Sequence, residues 1–281
     1  MITTVEAVNG LAILLNCIIF VLLPLEIWRR WKKRKLNWSA IKEMAASVSP
    51  LIPDLLTGAF VLAVVSAFYL AAGEMSPWEI PTTPISAFIC LLLVDFMYYW
   101  DHRCSHRIRG LWALYHSVHH SSPQFDQTTT FRISFVDSFF TPWFYLPIIL
   151  IGFSPTIVFA CFTLILSYQT WVHTESIGKL KWLDAWLNTP SNHRVHHGVQ
   201  ALYQDKNYGA VLIVWDRIFG TYQREEEAPI YGITHPINSV NPWTVHFCEL
   251  GRLWRDMGKT KGWFNRLAIW LMPPGWSAKK D

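Results

Sequence analysis

The sequence predicts an all-α integral membrane protein, because of how its apolar and charged residues are distributed. Of its 281 residues, 52% are hydrophobic and only 16% are charged, which is below the quarter usual in soluble domains. The apolar residues lie in long continuous runs, and the charged residues gather between those runs. We therefore expect about four transmembrane or hairpin helices and a helical cap outside the membrane.

Three apolar runs have roughly the length needed to cross a bilayer as helices, namely 8–28, 51–72 and 85–100. The basic run 29–35 follows the first of them and places that end in the cytosol. Since it directly follows an apolar span, we interpret it as a membrane-surface anchor and expect no nucleic-acid partner. The link 73–84 contains neither lysine nor arginine, as expected on the opposite side.

A fourth apolar stretch, residues 138–171, is interrupted in the middle. Gly152, Ser154 and Pro155 make one continuous helix unfavourable there. Two short helices forming a hairpin fit better, and the hairpin either dips into the membrane and returns or barely crosses it. If the chain enters and leaves on the same side, His173 emerges beside the other histidines.

The C-terminal residues 241–281 combine tryptophans with arginines and lysines. This pattern is typical of amphipathic helices that lie in the membrane interface. Ordinary packing helices of the cap are the alternative. The tryptophans concerned are Trp243, Trp254, Trp263, Trp270 and Trp276.

Nine of the eleven histidines follow a pattern. H-x-x-x-H begins at 102, H-S-V-H-H at 116 and H-R-V-H-H at 193, with a single histidine at 173. Residues spaced i, i+3 and i+4 share one helix face, so we expect each cluster to aim its imidazoles at one point. Burying so many imidazoles without partners would be unfavourable. The predicted metal ligands are His102, His106, His116, His119, His120, His173, His193, His196 and His197.

The number of ligands indicates two metal ions. Nine nitrogens exceed what one tetrahedral or octahedral ion accepts, whereas two ions with four or five nitrogens each use them all. A structural zinc pair would normally use thiolates, but the five cysteines lie far apart and form no C-x-x-C pair. An imidazole-rich pair with open positions suits iron that binds O2. The sequence thus predicts a cytosolic helical cap that holds a histidine-rich di-metal site.

Carboxylates and amides near the histidines are candidates for orienting the rings. Asp95 lies two turns before His102 on the same face, within an apolar run where an ionisable group is a functional candidate. Asp205, Asn207 and Asp216 follow the last cluster closely. Each of these three also fits ordinary loop or cap chemistry.

Several stretches between about residues 90 and 240 together resemble the sterol desaturase / fatty acid hydroxylase superfamily of membrane di-iron enzymes. Within it, the chain is most similar to the alkylglycerol monooxygenase-like branch. The order of the motifs is specific, although any single histidine cluster is not. The matching stretches are DFMYYWDHRCSH (95–106), HSVHHSS (116–122), WVHTESIGKL (171–180), NTPSNHRVHHG (188–198), DKNYG (205–209), WDRIFGT (215–221) and YGITHPI (231–237).

The resemblance implies a di-iron centre held by the nine histidines. It implies O2-dependent hydroxylation (monooxygenation) of a lipid or sterol-like C–H bond, with desaturation by the same centre as the alternative. Some members carry a further histidine where this chain has Ile177, so His235 is a candidate tenth ligand. The organisation implied is N-terminal transmembrane helices with a basic linker (1–84), a fatty acid hydroxylase-like catalytic domain (85–240) and interfacial helices (241–281).

The electrons for such a reaction have to come from outside the chain. The sequence contains no G-x-G-x-x-G and no C-x-x-C-H, so we expect a separate donor, either a cytochrome, a ferredoxin or a reduced pterin. A rival of another class is a membrane metal transporter or metal-binding protein. Transport requires ligands near the bilayer midplane, however, and the clusters lie outside the apolar runs. The expected partners are therefore a membrane lipid, O2 and the electron donor.

Overall fold

The computed structural model describes residues 2–277, and within them the chain forms helices and no strand longer than an isolated bridge. The prediction of an all-α protein is therefore confirmed. The α-helices are α1 (Thr4–Cys17), α2 (Ile19–Lys32), α3 (Trp38–Val48), α4 (Leu51–Met75), α5 (Pro84–Arg107), α6 (Arg109–Leu111), α7 (Ser117–His120), α8 (Asp137–Phe140), α9 (Leu146–Leu150), α10 (Pro155–Tyr168), α11 (Pro190–His196), α12 (Val214–Ile218), α13 (Pro242–Lys259) and α14 (Trp263–Leu271). Trp112–His116 forms a π-helix, and the 3-10 helices are Gln127–Phe131, Thr141–Tyr145, Gln169–Trp171 and Leu183–Ala185.

Three helical stretches are long and apolar enough to cross a membrane. They are Thr4–Lys32, Trp38–Met75 and Pro84–Arg107, with 29, 38 and 24 residues. Each contains one of the predicted spans. Only 11% to 33% of their apolar windows is buried inside the protein, so large apolar faces remain for lipid to cover. The chain is a multi-pass membrane protein.

The interrupted stretch forms a hairpin of short helices. The chain turns at Gly152, whose φ of +108° lies in a region that favours glycine. At this turn the Ile80 amide donates to the Gly152 carbonyl oxygen at 2.8 Å, and the Ser76 hydroxyl donates to the Leu150 carbonyl oxygen at 3.0 Å. The tip of the hairpin therefore lies beside the link between α4 and α5. Helix α10 then returns along α5, and the chain beyond it lies near the C-terminal end of α5.

An apolar core fixes this arrangement of α4, α5, α9 and α10. Helix α10 packs against both α1 and α5, and Tyr69 of α4 donates a hydrogen bond to the Pro142 carbonyl oxygen at 2.8 Å. Close packing in such a core resists sliding of one helix along another. The depth of the hairpin relative to α5 is therefore set. Fully buried members include Cys90, Val94, Tyr145, Ile149, Val158, Cys161 and Ile165.

The segment after the hairpin is a cap with short helices and long ordered loops. Helices α13 and α14 cover one side of it and pack on each other and on the π-helix through Ala113, Leu253 and Ile269. Their outer faces expose Trp243, Trp254 and other large apolar side chains. This distribution fits a helix pair at an interface, and the predicted membrane role of 241–281 remains a prediction.

Candidate metal centre

Helix α5 delivers the first two predicted ligands at its C-terminal end. His102 and His106 stand one turn apart on the same face and are both buried. The helix begins at Pro84, and the preceding residue, Thr83, is its N-cap. The Thr83 hydroxyl accepts a hydrogen bond from the Ser86 amide. Since α5 also packs on α10, both imidazoles lie at a fixed depth relative to the hairpin.

The second histidine cluster begins at the last residue of a π-helix. Trp112–His116 adopts the wider π geometry, and α7 continues with regular α-helical geometry. The extra residue in the turn changes the direction in which His116 points, and such segments are frequent at functional sites. His116 and His120 consequently point to one side, and His119 points to another.

The nine histidines converge as two groups. In each group the candidate ligand atoms lie within 4.8 Å of one another. Seven of the nine side chains are buried and two are partly buried. The five-histidine group is His102, His106, His116, His120 and His196; the four-histidine group is His119, His173, His193 and His197.

The sequence clusters do not coincide with these groups, so the expectation that each cluster aims at one point is wrong. Pairs spaced i, i+4 stay together, whereas the histidine at i+3 joins the other group. The reason is that neighbouring helix positions differ by about 100° in direction, so adjacent histidines face opposite sides. Each H-x-x-H-H cluster therefore supplies ligands to both groups and ties them together.

The two groups are direct neighbours. The ring of His120 stacks on that of His197, with centroids 4.3 Å apart and planes 20° apart. His193 and His196 stack similarly at 5.3 Å. These pairs join one member of each group, so the geometry offers two adjacent positions for metal ions.

Backbone carbonyl groups fix the orientation of four rings. In each case Nδ1 lies within hydrogen-bonding distance of a carbonyl oxygen, which can only accept. The ring therefore carries its proton on Nδ1 and presents the lone pair of Nε2, as metal-binding histidines do. The pairs are His102 with Tyr208 (2.9 Å), His196 with Lys206 (2.9 Å), His173 with Gln169 (3.1 Å) and His119 with Arg132 (3.3 Å).

Two of these rings face each other through the same kind of atom. His119 Nε2 and His173 Nε2 are 3.2 Å apart, although both rings hold their proton on Nδ1. Neutral rings of this tautomer present two lone pairs to each other and repel. A cation bound by both nitrogens removes that repulsion. The donor arrangement therefore fits a metal ion in the four-histidine group.

The five-histidine group also contains unpartnered nitrogens. Within residues 2–277, Nε2 of His120 and Nε2 of His196 are buried and have no hydrogen-bond partner. Such atoms are rare in folded proteins, because an unsatisfied buried polar atom is unfavourable by about 1–3 kcal/mol. A metal ion would satisfy both nitrogens.

Burial keeps the imidazoles neutral and ready to bind a cation. Desolvation lowers the pKa of His173 to about 3 from an ordinary value of 6.5. In the other members of the two histidine groups that lie outside α5, desolvation is the larger cause and neighbouring imidazoles the second, and together they hold the pKa well below that ordinary value. These residues are His116, His119, His120, His193, His196 and His197.

Asp95 contacts the cap instead of a histidine ring. Its carboxylate accepts hydrogen bonds from the amides of Val211 (2.9 Å) and Leu212 (3.2 Å) and from Trp215 Nε1 (2.8 Å). A buried charge satisfied by three donors holds the loop 211–215 against α5. Its influence on the histidines therefore passes through the position of the cap.

Asp205 and Asn207 lie in the loop that supplies two of the orienting carbonyls. Both have a φ of +58°, in the left-handed region that aspartate and asparagine tolerate better than most residues. The Asn207 amide donates to the carbonyl oxygens of Asn192 (3.0 Å) and Gln223 (2.8 Å), while Asp205 pairs with Arg107. These bonds hold the loop in the shape that brings its carbonyls to the rings.

Asp216 completes the support of this loop. Its carboxylate is fully buried and accepts from the amides of Tyr208 (2.8 Å) and Gly209 (2.7 Å). A Cβ on Gly209 would lie 2.5 Å from the Leu212 carbonyl oxygen, so no larger residue fits. The side chains named from the sequence thus contact the backbone near the histidines instead of the imidazole rings.

The remaining candidate, His235, lies outside both groups. Its side chain is exposed, and its Nδ1 contacts the Thr234 hydroxyl at 3.3 Å. The Ile177 carbonyl oxygen accepts a hydrogen bond from Arg194 at 2.7 Å. Arg194 is itself paired with Glu225, a contact that the sequence motifs did not single out.

A cavity of about 1370 Å³ leads from the histidines to α13 and α14. Three members of the five-histidine group line its inner end, and His197 is the member of the four-histidine group that joins them. Trp112 lies at the same end, and His235 lies on the wall. The outer walls carry charged side chains of α13, so the cavity connects the candidate site with the surface of the cap.

Comparisons with known proteins match the part of the chain that carries this site. The family model described as fatty acid hydroxylase matches residues 87–221, which include all nine histidines. The alkylglycerol monooxygenase of Homo sapiens is 46% identical over 208 residues, covering 73% of this chain and 45% of that protein. The alkylglycerol monooxygenase of Xenopus tropicalis is 36% identical over 266 residues, covering 93% of this chain and 58% of that protein.

A more distant relative matches a smaller part of the chain. The ornithine lipid hydroxylase of Rhizobium tropici is 30% identical over 134 residues, covering 47% of this chain and 40% of that protein. The chain spans about half the length of the curated relatives it matches. No solved structure matches it. By its family-model match and its relatives, the chain belongs to the fatty acid hydroxylase superfamily, in the alkylglycerol monooxygenase-like branch.

Proposed function

We propose that this protein is a membrane-bound di-iron monooxygenase that uses O2 to hydroxylate a C–H bond of a lipid or sterol-like substrate. The observation that carries the proposal is the pair of adjacent imidazole groups, with facing lone pairs and unpartnered nitrogens. Residues 85–240 are the proposed catalytic domain, and we place its histidines on the cytosolic side because of the basic run 29–35.

The ligand set favours iron over zinc. Both groups consist of imidazoles, and no cysteine belongs to either group within residues 2–277. Structural zinc sites usually include thiolates and close at four ligands, whereas imidazole suits iron that keeps positions open. When bound, the iron pair supplies O2 activation and the oxidising power needed to break an unactivated C–H bond.

The protein's own residues hold and shield the site. The nine histidines would hold the two ions, and the carbonyl groups of Lys206, Tyr208, Gln169 and Arg132 fix the direction of four rings. Burial keeps bulk water away from most of the imidazoles, which limits the loss of oxidising equivalents to side reactions. The cavity gives access to the five-histidine group from the surface of the cap.

The cavity is large enough for a lipid. Its volume of about 1370 Å³ exceeds the range of about 300–1,000 Å³ usual for small-molecule sites. Helices α13 and α14 form its outer end and carry exposed aromatic side chains, which fits entry of substrate from the membrane interface. The names of the relatives make alkylglycerols and ornithine lipids the first substrates to test. Desaturation by the same centre is the alternative outcome.

The electrons come from a separate donor in this proposal. A cytochrome, a ferredoxin or a reduced pterin would each serve. The basic run 29–35 lies on the proposed cytosolic side, where it also suits anionic lipid headgroups.

Metal analysis of anaerobically purified protein tests the proposal most directly. We expect about two iron ions per chain, lost in a His119→Ala/His196→Ala double variant. With a reductant and ¹⁸O2, mass spectrometry should find the label in a hydroxylated lipid. One equivalent of zinc, or metal uptake into vesicles without lipid oxidation, would instead support a metal-binding protein or transporter.

A further inference from the structure

The N-terminal helices make charged contacts with the segments that carry the four-histidine group. These helices lie outside the stretch matched by the family model, which starts at residue 87. Their length and composition alone account for them as membrane spans. Four of their charged side chains nevertheless reach the segments next to His119 and His173.

Glu26 of α2 holds the chain immediately after His173. Its carboxylate is buried and accepts hydrogen bonds from the hydroxyls of Thr174 (2.5 Å) and Ser176 (3.3 Å). Arg29, one turn later, donates to the Ser176 carbonyl oxygen at 2.9 Å. The loop that carries His173 is thus attached to α2 at two successive points.

Glu43 of α3 holds the residue whose carbonyl orients His119. It pairs with the buried Arg132 guanidinium at 2.7 Å. The Nε of Arg132 donates to the Val118 carbonyl oxygen (3.2 Å) and to the Ser121 hydroxyl (2.9 Å), which flank the adjacent pair His119 and His120 in the chain. Arg132 therefore ties α3 to both the ring and the backbone of this ligand.

Arg30 provides a third attachment. It pairs with Asp126 at 2.7 Å, and Asp126 caps the 3-10 helix that ends just before Arg132. Phe125, the residue before Asp126, packs on the His197 ring with centroids 5.0 Å apart. None of these three acidic or basic contacts reaches a member of the five-histidine group among the bonds of residues 2–277.

We propose that Glu26 and Glu43 are positioning residues for the metal ion of the four-histidine group. This inference rests on the proposed pair of metal ions. It assigns to the N-terminal helices a part in building the site in addition to membrane anchoring. Partners that orient metal ligands typically change metal affinity about 10- to 100-fold when they are removed.

The test measures Co²⁺ affinity in two backgrounds of the purified full chain, from the visible absorption of bound Co²⁺. His196→Ala disrupts the five-histidine group and leaves the four-histidine group intact, and His193→Ala does the reverse. In the His196→Ala background, Glu26→Ala should weaken Co²⁺ binding about 10- to 100-fold. In the His193→Ala background the change should stay within about twofold.

Further variants separate positioning from general damage. Glu26→Gln keeps an oxygen acceptor and should recover most of the affinity, and Glu43→Ala should repeat the pattern of Glu26→Ala independently. Glu6→Ala is the matched control, since among residues 2–277 Glu6 forms its side-chain hydrogen bonds with Thr3 at the start of α1. Equal weakening in both backgrounds, or none in either, overturns the inference. Absence of Co²⁺ binding to the parent chain would count against the proposed function instead.

Discussion

The two histidine groups share one chemistry but differ in surroundings. Three of the five members of the five-histidine group line the cavity, compared with one of the four in the other group. The first group therefore faces the cavity more than the second does. We propose that the two metal positions have different tasks, one facing the cavity and one supported by the N-terminal helices α2 and α3.

The groups also differ in what orients them. His102 and His196 donate to carbonyls of the cap loop 205–209. His119 and His173 donate instead to carbonyls that precede the cap, at Arg132 and at the end of the hairpin. Changes in the cap and changes near the membrane should consequently affect different metal ions.

The largest expected effect comes from removing one ligand of either group. His196→Ala and His193→Ala should each reduce bound iron from about two ions to about one and lower activity more than about 100-fold, since even an outer partner matters about 10- to 100-fold. Metal analysis and turnover measure both. His246→Ala is the control, because this buried histidine lies outside both groups. Full activity with one bound ion would contradict the expectation that both groups are needed.

A smaller effect should follow from changing the cap loop. Asn207→Ala leaves buried carbonyl partners unsatisfied and places alanine at positive φ, so the free energy of unfolding should fall by about 2–4 kcal/mol. Metal affinity should fall about 10-fold in the five-histidine group and much less in the other. Asn238→Ala provides the control, because Asn238 also has positive φ but is exposed. Equal loss in both groups would contradict separate support.

The pH dependence of the metal-free protein gives a still smaller effect for each residue. The pKa of His173 is about 3 in the folded chain and 6.5 ordinarily, so between these values the unfolded chain binds a proton that the folded chain excludes. His173 thus stabilises the fold fully above about pH 6.5, and this contribution falls by about 1.4 kcal/mol per pH unit below it. Denaturant unfolding in detergent at about pH 7 and pH 5 measures the slope. His173→Gln should reduce this slope by about that amount, because the other buried histidines still contribute, and an unchanged slope would contradict the assignment.

Much of the fold follows from residue patterns that act locally. The runs 8–28, 51–72 and 85–100 each lie within a long helical stretch of the structure, because the length and polarity of an apolar run determine whether it can cross a bilayer. The interruption at Gly152 likewise corresponds to the turn of the hairpin. What these patterns do not contain is how the hairpin packs on α5, since that depends on side chains distant in sequence.

The candidate site is only partly readable from the sequence. Histidine spacing identifies the nine imidazoles and separates the i+3 histidine of each H-x-x-H-H cluster from its i, i+4 pair, but which of them meet in one group depends on tertiary packing. Every residue has a backbone carbonyl group, so the sequence does not indicate that the carbonyl groups of Lys206 and Tyr208 accept hydrogen bonds from histidine rings. The available sequence signal was Asp205 and Asn207 beside them, because aspartate and asparagine are common at positive φ. Glu26 and Glu43 gave none, because the distance in sequence to their partners is large.

The smallest expected effect concerns His235, the candidate tenth ligand. His106 and His235 both line the cavity, but only His106 belongs to a histidine group. Since the exposed His235 ring has no place among the converging nitrogens, His235→Ala should keep about two metal ions and change turnover by no more than about twofold. Metal content beside His106→Ala makes the comparison. Loss of one ion in His235→Ala would mean that the ring moves into the five-histidine group when metal binds, and the cavity wall would then be part of the centre.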